Sequence, residues 1–348
     1  MEVEGWARRA AISLEESLKN SEKVAIILPP TPDGISSSVI LSEICSQLGV
    51  DSEFIVSLPE TFLDAIEHLI GKFDHLIFLE LPPHGPGPIS VARELFKGLI
   101  VIDHGSSDLP GDILRVGLNY GGICTSLLLY MISSQIGKDN EYLSWIAVSG
   151  FKNKCTSKIC EYVKERSQLY WPDLIEEASI DLIQRMLSAA SFEGEDWIMM
   201  AISSLQESAE DPWWFIRGSS VTASILRSKV PEVEAKIKDS LSEPFLLDGS
   251  VGIWEVSEPH QRFVLSIEAR KFVDVAITFF YDPPLGLVYM LAPDGIDLYS
   301  EAIELLRGES EWSAFGGMGF LSMIIDSERM VPVLTNFKDR LNSILGRV

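Results

Sequence analysis

Short, wholly apolar runs alternate with helical stretches between residues 23 and 150, and this alternation constrains the fold more than any other feature. Residues 24–28, Val-Ala-Ile-Ile-Leu, form a continuous apolar run, as expected of a strand buried on both faces. Further short strands are predicted at residues 54–56, 75–81 and 99–103, with helices between them. The pattern predicts an α/β fold with a parallel, doubly wound sheet and right-handed crossovers.

The pattern changes twice beyond residue 150. Residues 151–243 have helical periods, with an aromatic cluster at residues 213–215 that is either a core plug or an exposed contact. Strands then return on either side of a Pro-Pro turn at residues 282–286. We therefore expect three domains: a sheet domain at residues 1–160, a helical connector or insertion at 161–243, and a smaller mixed α/β domain at 244–348.

Composition restricts the partners and the compartment. A net charge of −23 disfavours tight, non-specific binding to a phosphate backbone and favours a basic partner surface. Four scattered cysteines are too few for a disulfide framework, so buried or idle thiols and a cytoplasmic location are expected. The longest apolar run is too short for a membrane span, so no membrane partner is expected.

Two segments lie at the carboxyl ends of predicted strands, at the sheet edge where ligands bind in such folds. The first is residues 31–37, Thr-Pro-Asp-Gly-Ile-Ser-Ser, and the second is residues 101–104, Val-Ile-Asp-His. They resemble motifs one and three of the DHH phosphoesterases, which include the RecJ nucleases. In that family the two motifs read His-x-Asp-x-Asp-Gly-x-x-Ser and Asp-His-His.

Two later segments extend the resemblance over most of the chain. The helix that opens at residues 121–126 resembles the Cys-Ser-Ala-rich helix of the family. The glycines Gly316, Gly317 and Gly319 resemble the family's Gly-Gly-His-x-x-Ala-Ala-Gly loop. The histidine of that loop falls at Met318, and bulkier residues at 321–323 are expected to close its phosphate pocket.

The departures from the family's motifs decide what the resemblance implies about metals. The family's enzymes hold two divalent metals, usually manganese, with carboxylates and imidazoles from four motifs. Three positions have lost their ligand atoms: motif one at Pro29 and Thr31, and the second histidine of motif three at Gly105. The motif-four aspartate falls near residues 150–154, which carry no carboxylate and include Lys154. The resemblance therefore implies no catalytic residue, no two-metal site and no cofactor.

Four relict positions keep groups able to bind a metal, and each also has a structural interpretation, which we favour. If one manganese ion were held, its ligands would be Asp33, Glu80, Asp103 and His104. In the structural interpretation, Asp33 shapes the strand-to-helix turn, with Ser36 or Ser37 capping the helix. Asp103 accepts backbone N–H bonds from the loop after it, and His104 is a packed or hydrogen-bonded side chain.

The resemblance points to a role in DNA replication. The RecJ branch is similar to the replication factor Cdc45, an inactive relative that joins the GINS complex and the MCM ring, and archaea carry RecJ-like counterparts. A short, acidic chain without metal ligands fits that group. It implies a non-catalytic scaffold subunit of the replicative helicase that bridges GINS and MCM, with weak single-stranded DNA contact as a further expectation.

Two other functions stay open on the residues alone. One is a manganese-dependent phosphoesterase or exonuclease acting on single-stranded DNA or short oligonucleotides. The other is a sensor that binds a nucleotide in the relict cleft without turnover. For a scaffold, the contact surface is expected at exposed aromatic side chains, with His84 also expected at the surface. The aromatic candidates are Trp197, Trp213, Trp214, Trp254 and Phe279.

Overall fold

A computed structural model gives the fold of most of the chain, in two compact units. It describes residues 2–84, 86–103, 113–117, 123–137, 139–150, 158–174, 177–293, 295–307 and 312–346. The first unit extends to Val230 and the second begins at Pro231.

A parallel sheet forms the centre of the first unit. Its strands, within the described residues, are β1 (Lys23–Leu28), β2 (Asp51–Val56), β3 (His75–Leu79), β4 (Gly98–Asp103) and β5 (Leu114–Gly117). They lie in the order β2-β1-β3-β4-β5, and every neighbouring pair is parallel. The order reverses between β1 and β3, so the crevice at which such sheets bind ligands lies at the carboxyl ends of these two strands. The α/β, doubly wound prediction is confirmed.

Helices cover both faces of this sheet. The helices of the first unit are α1 (Glu2–Leu18), α2 (Pro32–Gln47), α3 (Phe62–Leu69), α4 (Pro86–Leu95), α5 (Thr125–Ile136), α6 (Ser144–Ser149), α7 (Lys158–Tyr170), α8 (Glu177–Glu193), α9 (Glu195–Glu207), α10 (Pro212–Arg217) and the first part of α11 (Val221–Ser242). Helices α3 and α4 pack against β1, β3 and β4 in one apolar core, and α2 covers the opposite face. Helix α5 packs against α2, and all of its residues from Thr125 to Ser133 are buried.

A mixed sheet forms the second unit. Its described strands are β6 (Leu246–Asp248), β7 (Val251–Glu255), β8 (Val275–Asp282), β9 (Leu285–Leu291), β10 (Trp312–Gly317) and β11 (Phe320–Asp326). Their order is β10-β11-β9-β8-β7-β6, with β7 and β8 parallel and the other pairs antiparallel. Helices α12 (Gln261–Ala269), α13 (Leu298–Leu305) and α14 (Ser327–Leu345) complete the unit, and α13 and α14 share its main apolar core with the sheet.

Three sequence expectations about burial and bonding are wrong. His84 is only 6% exposed, because the turn after β3 folds inward and its backbone N–H donates to Pro59. Trp254 and Phe279 are buried on strands β7 and β8, since neighbouring strands and helices cover both faces there. Cys160 belongs to a disulfide, which a count of cysteines along the chain could not decide.

Within the described residues, no helix is long and apolar enough to cross a bilayer.

Candidate functional site

The first turn of α2 is held by Thr31, at the carboxyl end of β1. Its hydroxyl oxygen accepts a hydrogen bond from the backbone N–H of Gly34 at 2.8 Å, which makes Thr31 the N-cap of the helix. Pro32 takes the first helical position, where its missing N–H costs nothing. The same Thr31 hydroxyl donates to Glu80 Oε2 at 2.8 Å. A position at which the family carries a metal-binding carboxylate is thus occupied here by a helix cap.

The cap differs from the one that the sequence predicted. Ser36 and Ser37 were expected to cap the helix, but it begins at Pro32, so both serines lie inside it and are fully buried. The proline after Thr31 already favours a helix start at that point, and this signal could have placed the boundary correctly.

Glu80 follows β3 directly, in an environment that disfavours its charged form. Its backbone has a left-handed φ of 59°, unusual for a residue with a side chain, and its N–H donates to Ile102 at 3.0 Å. The side chain is 6% exposed, and Oε1 has no donor among the described residues. Burial, followed by the charge of Asp33 and a hydrogen bond with that carboxylate, raises the pKa of Glu80 well above its ordinary value. The raised pKa favours the protonated form of Glu80, which lowers the repulsion between the two carboxyl groups.

Asp33 caps a helix that starts ninety-odd residues later in the chain. Its Oδ2 accepts the backbone N–H of Thr125 at 2.7 Å, and its Oδ1 accepts that of Ser126 at 2.9 Å. These donors belong to the first turn of α5, where helix N–H groups lack partners in the helix and carry a partial positive charge. Both carboxylate oxygens of Asp33 therefore bind backbone, as a structural residue does.

Gly150, the first residue of the segment 150–154 in which the motif-four aspartate should fall, lies against Asp33. A Cβ atom built on Gly150 would stand 2.5 Å from Ser126 Oγ and 3.0 Å from Asp33 Oδ1. A side chain at residue 150 would therefore have to displace the Ser126 hydroxyl and crowd the Asp33 carboxylate. Lys154 lies outside the described residues.

Asp103, the last residue of β4, is paired with an arginine. Arg115 on the neighbouring strand β5 donates to Asp103 Oδ1 from Nη2 at 2.8 Å and from Nε at 3.2 Å. The Asp103 side chain is fully buried, and that of Arg115 is 29% exposed. Neither β5 nor the role of Arg115 was predicted from the sequence, because a four-residue strand shows too little periodicity. His104 lies outside the described residues.

These contacts do not fit a pair of divalent cations. Two dications need several free carboxylate or imidazole donors, close enough for each metal to collect its ligands. Asp33 binds backbone N–H groups, Glu80 favours a proton, Asp103 binds a guanidinium, and Pro29 and Gly150 have no donor atoms. The described residues also contain no group of three His, Cys, Asp or Glu side chains arranged for a metal.

The glycines of the second unit form a tight hairpin. Gly316 and Gly317 end β10 opposite Leu321 and Phe320 of β11, and a Cβ on Gly316 would lie 2.6 Å from the carbonyl oxygen of Phe320. The expectation that bulk at residues 321–323 closes a pocket is wrong for Leu321 and Met323. Both side chains point into the core shared with α13 and α14, because alternate residues of a strand face opposite sides.

Comparisons with known proteins agree with this architecture. The sequence matched no model of a protein family and no curated protein. Among solved structures, the Thermus thermophilus RecJ in complex with Mn²⁺ is similar over 99% of this chain and 55% of that one, at 15% identity and a TM-score of 0.61. The DHH domain of a member of the S1p family of ribosomal proteins is similar over 98% of this chain and 91% of that one, at 12% identity and a TM-score of 0.63. The chain has the DHH fold of RecJ.

A third similar structure is the Cdc45 of Entamoeba histolytica. The similarity covers 94% of this chain and 98% of that one, at 10% identity and a TM-score of 0.52. This protein thus spans about half the length of the Thermus RecJ and nearly the whole length of the Cdc45 structure. The predicted resemblance to a RecJ-like DHH fold related to Cdc45 is confirmed at the level of the fold.

Proposed function

We propose that this protein is a non-catalytic DHH-fold subunit of a replicative helicase assembly, which bridges the GINS complex and the MCM ring. The observation that carries the proposal is the engagement of Asp33. Both of its oxygens accept backbone N–H groups of α5, and Gly150 packs against it without a donor atom. A carboxylate committed to a buried helix N-terminus cannot also bridge two metals without breaking that cap.

The similarity to Cdc45 supports the replication part of the proposal. The RecJ and Cdc45 structures share this fold, and both a manganese-bound exonuclease RecJ and Cdc45 match over nearly the full length of both chains. A net charge of −23 suits a protein–protein scaffold better than a nuclease that must hold a polyanionic substrate. Any contact with a single strand of DNA would then be weak and local.

The proposal places partner contact on exposed apolar side chains rather than in the relict cleft. Of the aromatic candidates, Trp214 on α10 is 51% exposed, whereas Trp254 and Phe279 are buried. In the 213–215 cluster, Phe215 is fully buried in the core, while Trp214 faces solvent and is available for contact. Trp214 is the first residue to substitute in a binding experiment.

Reconstitution with purified partners tests the bridging role. GINS and MCM from the same organism are mixed with the full chain, and complexes are measured by size-exclusion chromatography with light scattering. We expect a stable complex with GINS, and a ternary complex with MCM that does not form when this chain is omitted. Trp214→Ala is expected to weaken the complex, with Leu169→Ala as the control for loss of another exposed apolar side chain. Absence of any complex with GINS would contradict the proposal.

A nuclease assay tests the non-catalytic part separately. End-labelled single-stranded DNA and short oligonucleotides are incubated with the protein and added Mn²⁺, and we expect no cleavage above background. Manganese-dependent cleavage that Asp103→Ala abolishes would establish the phosphoesterase instead. Calorimetry with a small nucleotide panel completes the test, since tight binding without turnover would identify a sensor.

A further inference from the structure

We infer that the Arg115 guanidinium supplies beside Asp103 the positive charge that a divalent cation would otherwise supply, so that the first unit folds without a metal. The inference concerns the stability and ion binding of this chain and does not depend on the replication partners.

The carboxyl edge of the parallel sheet concentrates negative charge. Thr31 and Asp33 follow β1, Glu80 follows β3, and Asp103 ends β4, so three carboxyl groups lie after neighbouring strands of one sheet. An ionised carboxylate buried without compensation is costly, and neighbouring carboxylates add to that cost. Each group therefore needs its own source of positive charge or hydrogen-bond donors.

The three carboxyl groups obtain this compensation in different ways. Asp33 binds the N-terminus of α5, and Glu80 binds Thr31 and the Asp33 carboxylate. Asp103 receives a full positive charge from Arg115, with two N–H groups directed at one oxygen. Among the described residues, Asp103 is thus the one of the three carboxyl groups that a cationic side chain contacts directly.

The backbone of β5 holds the guanidinium in place. Strand β5 pairs with β4 in parallel register, with Arg115 opposite Val101 and Gly117 opposite Asp103. A Cβ on Gly117 would lie 2.2 Å from the carbonyl oxygen of Asp103, so the two strands approach each other too closely for a side chain there. This close pairing lets an arginine two residues earlier reach the buried carboxylate.

The test measures whether removal of the arginine creates a demand for metal. Arg115→Met keeps much of the side-chain volume and removes the charge. Melting temperature is recorded with EDTA and with added MnCl₂, and Mn²⁺ binding is measured by calorimetry. We expect the wild type to show no response to either reagent. The variant should melt lower in EDTA, recover part of the loss with Mn²⁺, and bind Mn²⁺ at least about tenfold more tightly than the wild type.

Three further variants control the interpretation. Arg115→Met combined with Asp103→Asn should lose the Mn²⁺ response, because the carboxylate that would bind the ion is gone. Arg115→Lys should stay unresponsive, because the ammonium keeps the charge. Lys97→Met removes a cation from the exposed ion pair with Asp74 on the same sheet and should give no Mn²⁺ response.

Two outcomes would overturn the inference. One is a folded Arg115→Met protein that neither binds Mn²⁺ nor gains stability from it. The other is a wild type that needs a metal. If Arg115→Met does not fold, the metal requirement of the wild type still tests the inference. For this test, wild-type protein is unfolded in denaturant and refolded in EDTA under non-reducing conditions. Full recovery of the native circular dichroism supports the inference, and recovery only after Mn²⁺ is added contradicts it.

Discussion

The two ends of the parallel sheet use the same kind of ion pair in opposite surroundings. At the amino end, Asp74 before β3 accepts the backbone N–H of Glu22 at 2.8 Å and pairs with Lys97 before β4 at 2.5 Å. The Lys97 side chain is 67% exposed and that of Asp74 is 18% exposed, so water reaches both partners of this pair. At the carboxyl end, Asp103 pairs with Arg115 at 2.8 Å and is fully buried. Both pairs link adjacent strands of the sheet, and only one of them excludes water from its carboxylate.

The difference illustrates that burial, rather than the pairing itself, determines how much an ion pair contributes to the stability of the fold. Water already solvates both partners of an exposed pair, so breaking it costs little. A buried carboxylate that loses its partner is left without compensation, and breaking such a pair is strongly destabilising. The similar Thermus RecJ is in complex with Mn²⁺, whereas in this chain protein groups compensate the carboxylates of the carboxyl edge.

The largest expected effect is that of Arg115→Met on stability. The substitution leaves the Asp103 carboxylate buried without its cation, so we expect a loss of about 3 kcal/mol in the free energy of unfolding. Asp103→Asn should cost less, because the partly exposed guanidinium can turn to water. Urea unfolding at neutral pH, followed by circular dichroism, measures both. If Arg115→Met lost no more stability than Lys97→Met, burial would not explain a difference between the two ion pairs.

Asp33→Ala is expected to have the next largest effect. It removes the acceptor of two N–H groups in the first turn of α5, and loss of a helix cap costs about 1–2 kcal/mol. The same urea experiment measures the loss, and hydrogen exchange should be faster for the amides of Thr125 and Ser126. Asp33→Asn keeps one acceptor oxygen and should fall between the wild type and Asp33→Ala. Unchanged exchange at both amides would contradict the assigned cap.

The effect of Glu80→Gln on the free energy of unfolding is expected to depend on pH. The pKa of Glu80 is raised above its ordinary value of 4.5, mainly by burial. Its contribution to stability is therefore full below that ordinary value and is lost as the pH rises through the raised pKa. Glutamine has no proton to lose, so the stability of the variant relative to the wild type should increase with pH. Urea unfolding across the pH range measures the difference, and a constant difference would contradict the assignment.

The smallest effect is expected for Asp74→Asn, with the opposite dependence on pH. The hydrogen bond from Lys97, and then that from the backbone N–H of Glu22, lower the pKa of Asp74 from 3.8 to about 2. Its contribution is thus present above 3.8 and is lost as the pH falls through about 2. At neutral pH the exposed pair should contribute little, so thermal melts of Asp74→Asn and the wild type should differ slightly and converge in acid. A large difference in melting temperature at neutral pH would show that exposure does not make the Asp74–Lys97 pair less important for stability than the buried pair.

Much of the fold could be predicted from local patterns. The apolar run at residues 24–28 and the later short runs indicated β1 to β4 of the first sheet. The strand β5 was not predicted, because its four residues, Leu-Arg-Val-Gly, are too few to show a strand period. The burial of Trp254 and His84 was not predicted either, because it depends on elements that meet only after folding.

The sequence by itself determined the doubly wound sheet and the absence of donor atoms at Pro29 and Gly150, because side-chain chemistry and apolar period are local properties. Only the tertiary structure decided how the remaining carboxyl groups are compensated. Asp33 finds its partners at Thr125 and Ser126, and Asp103 finds Arg115 on an adjacent strand. Such contacts join distant parts of the chain, so they exist only once strand order and helix placement have brought those parts together.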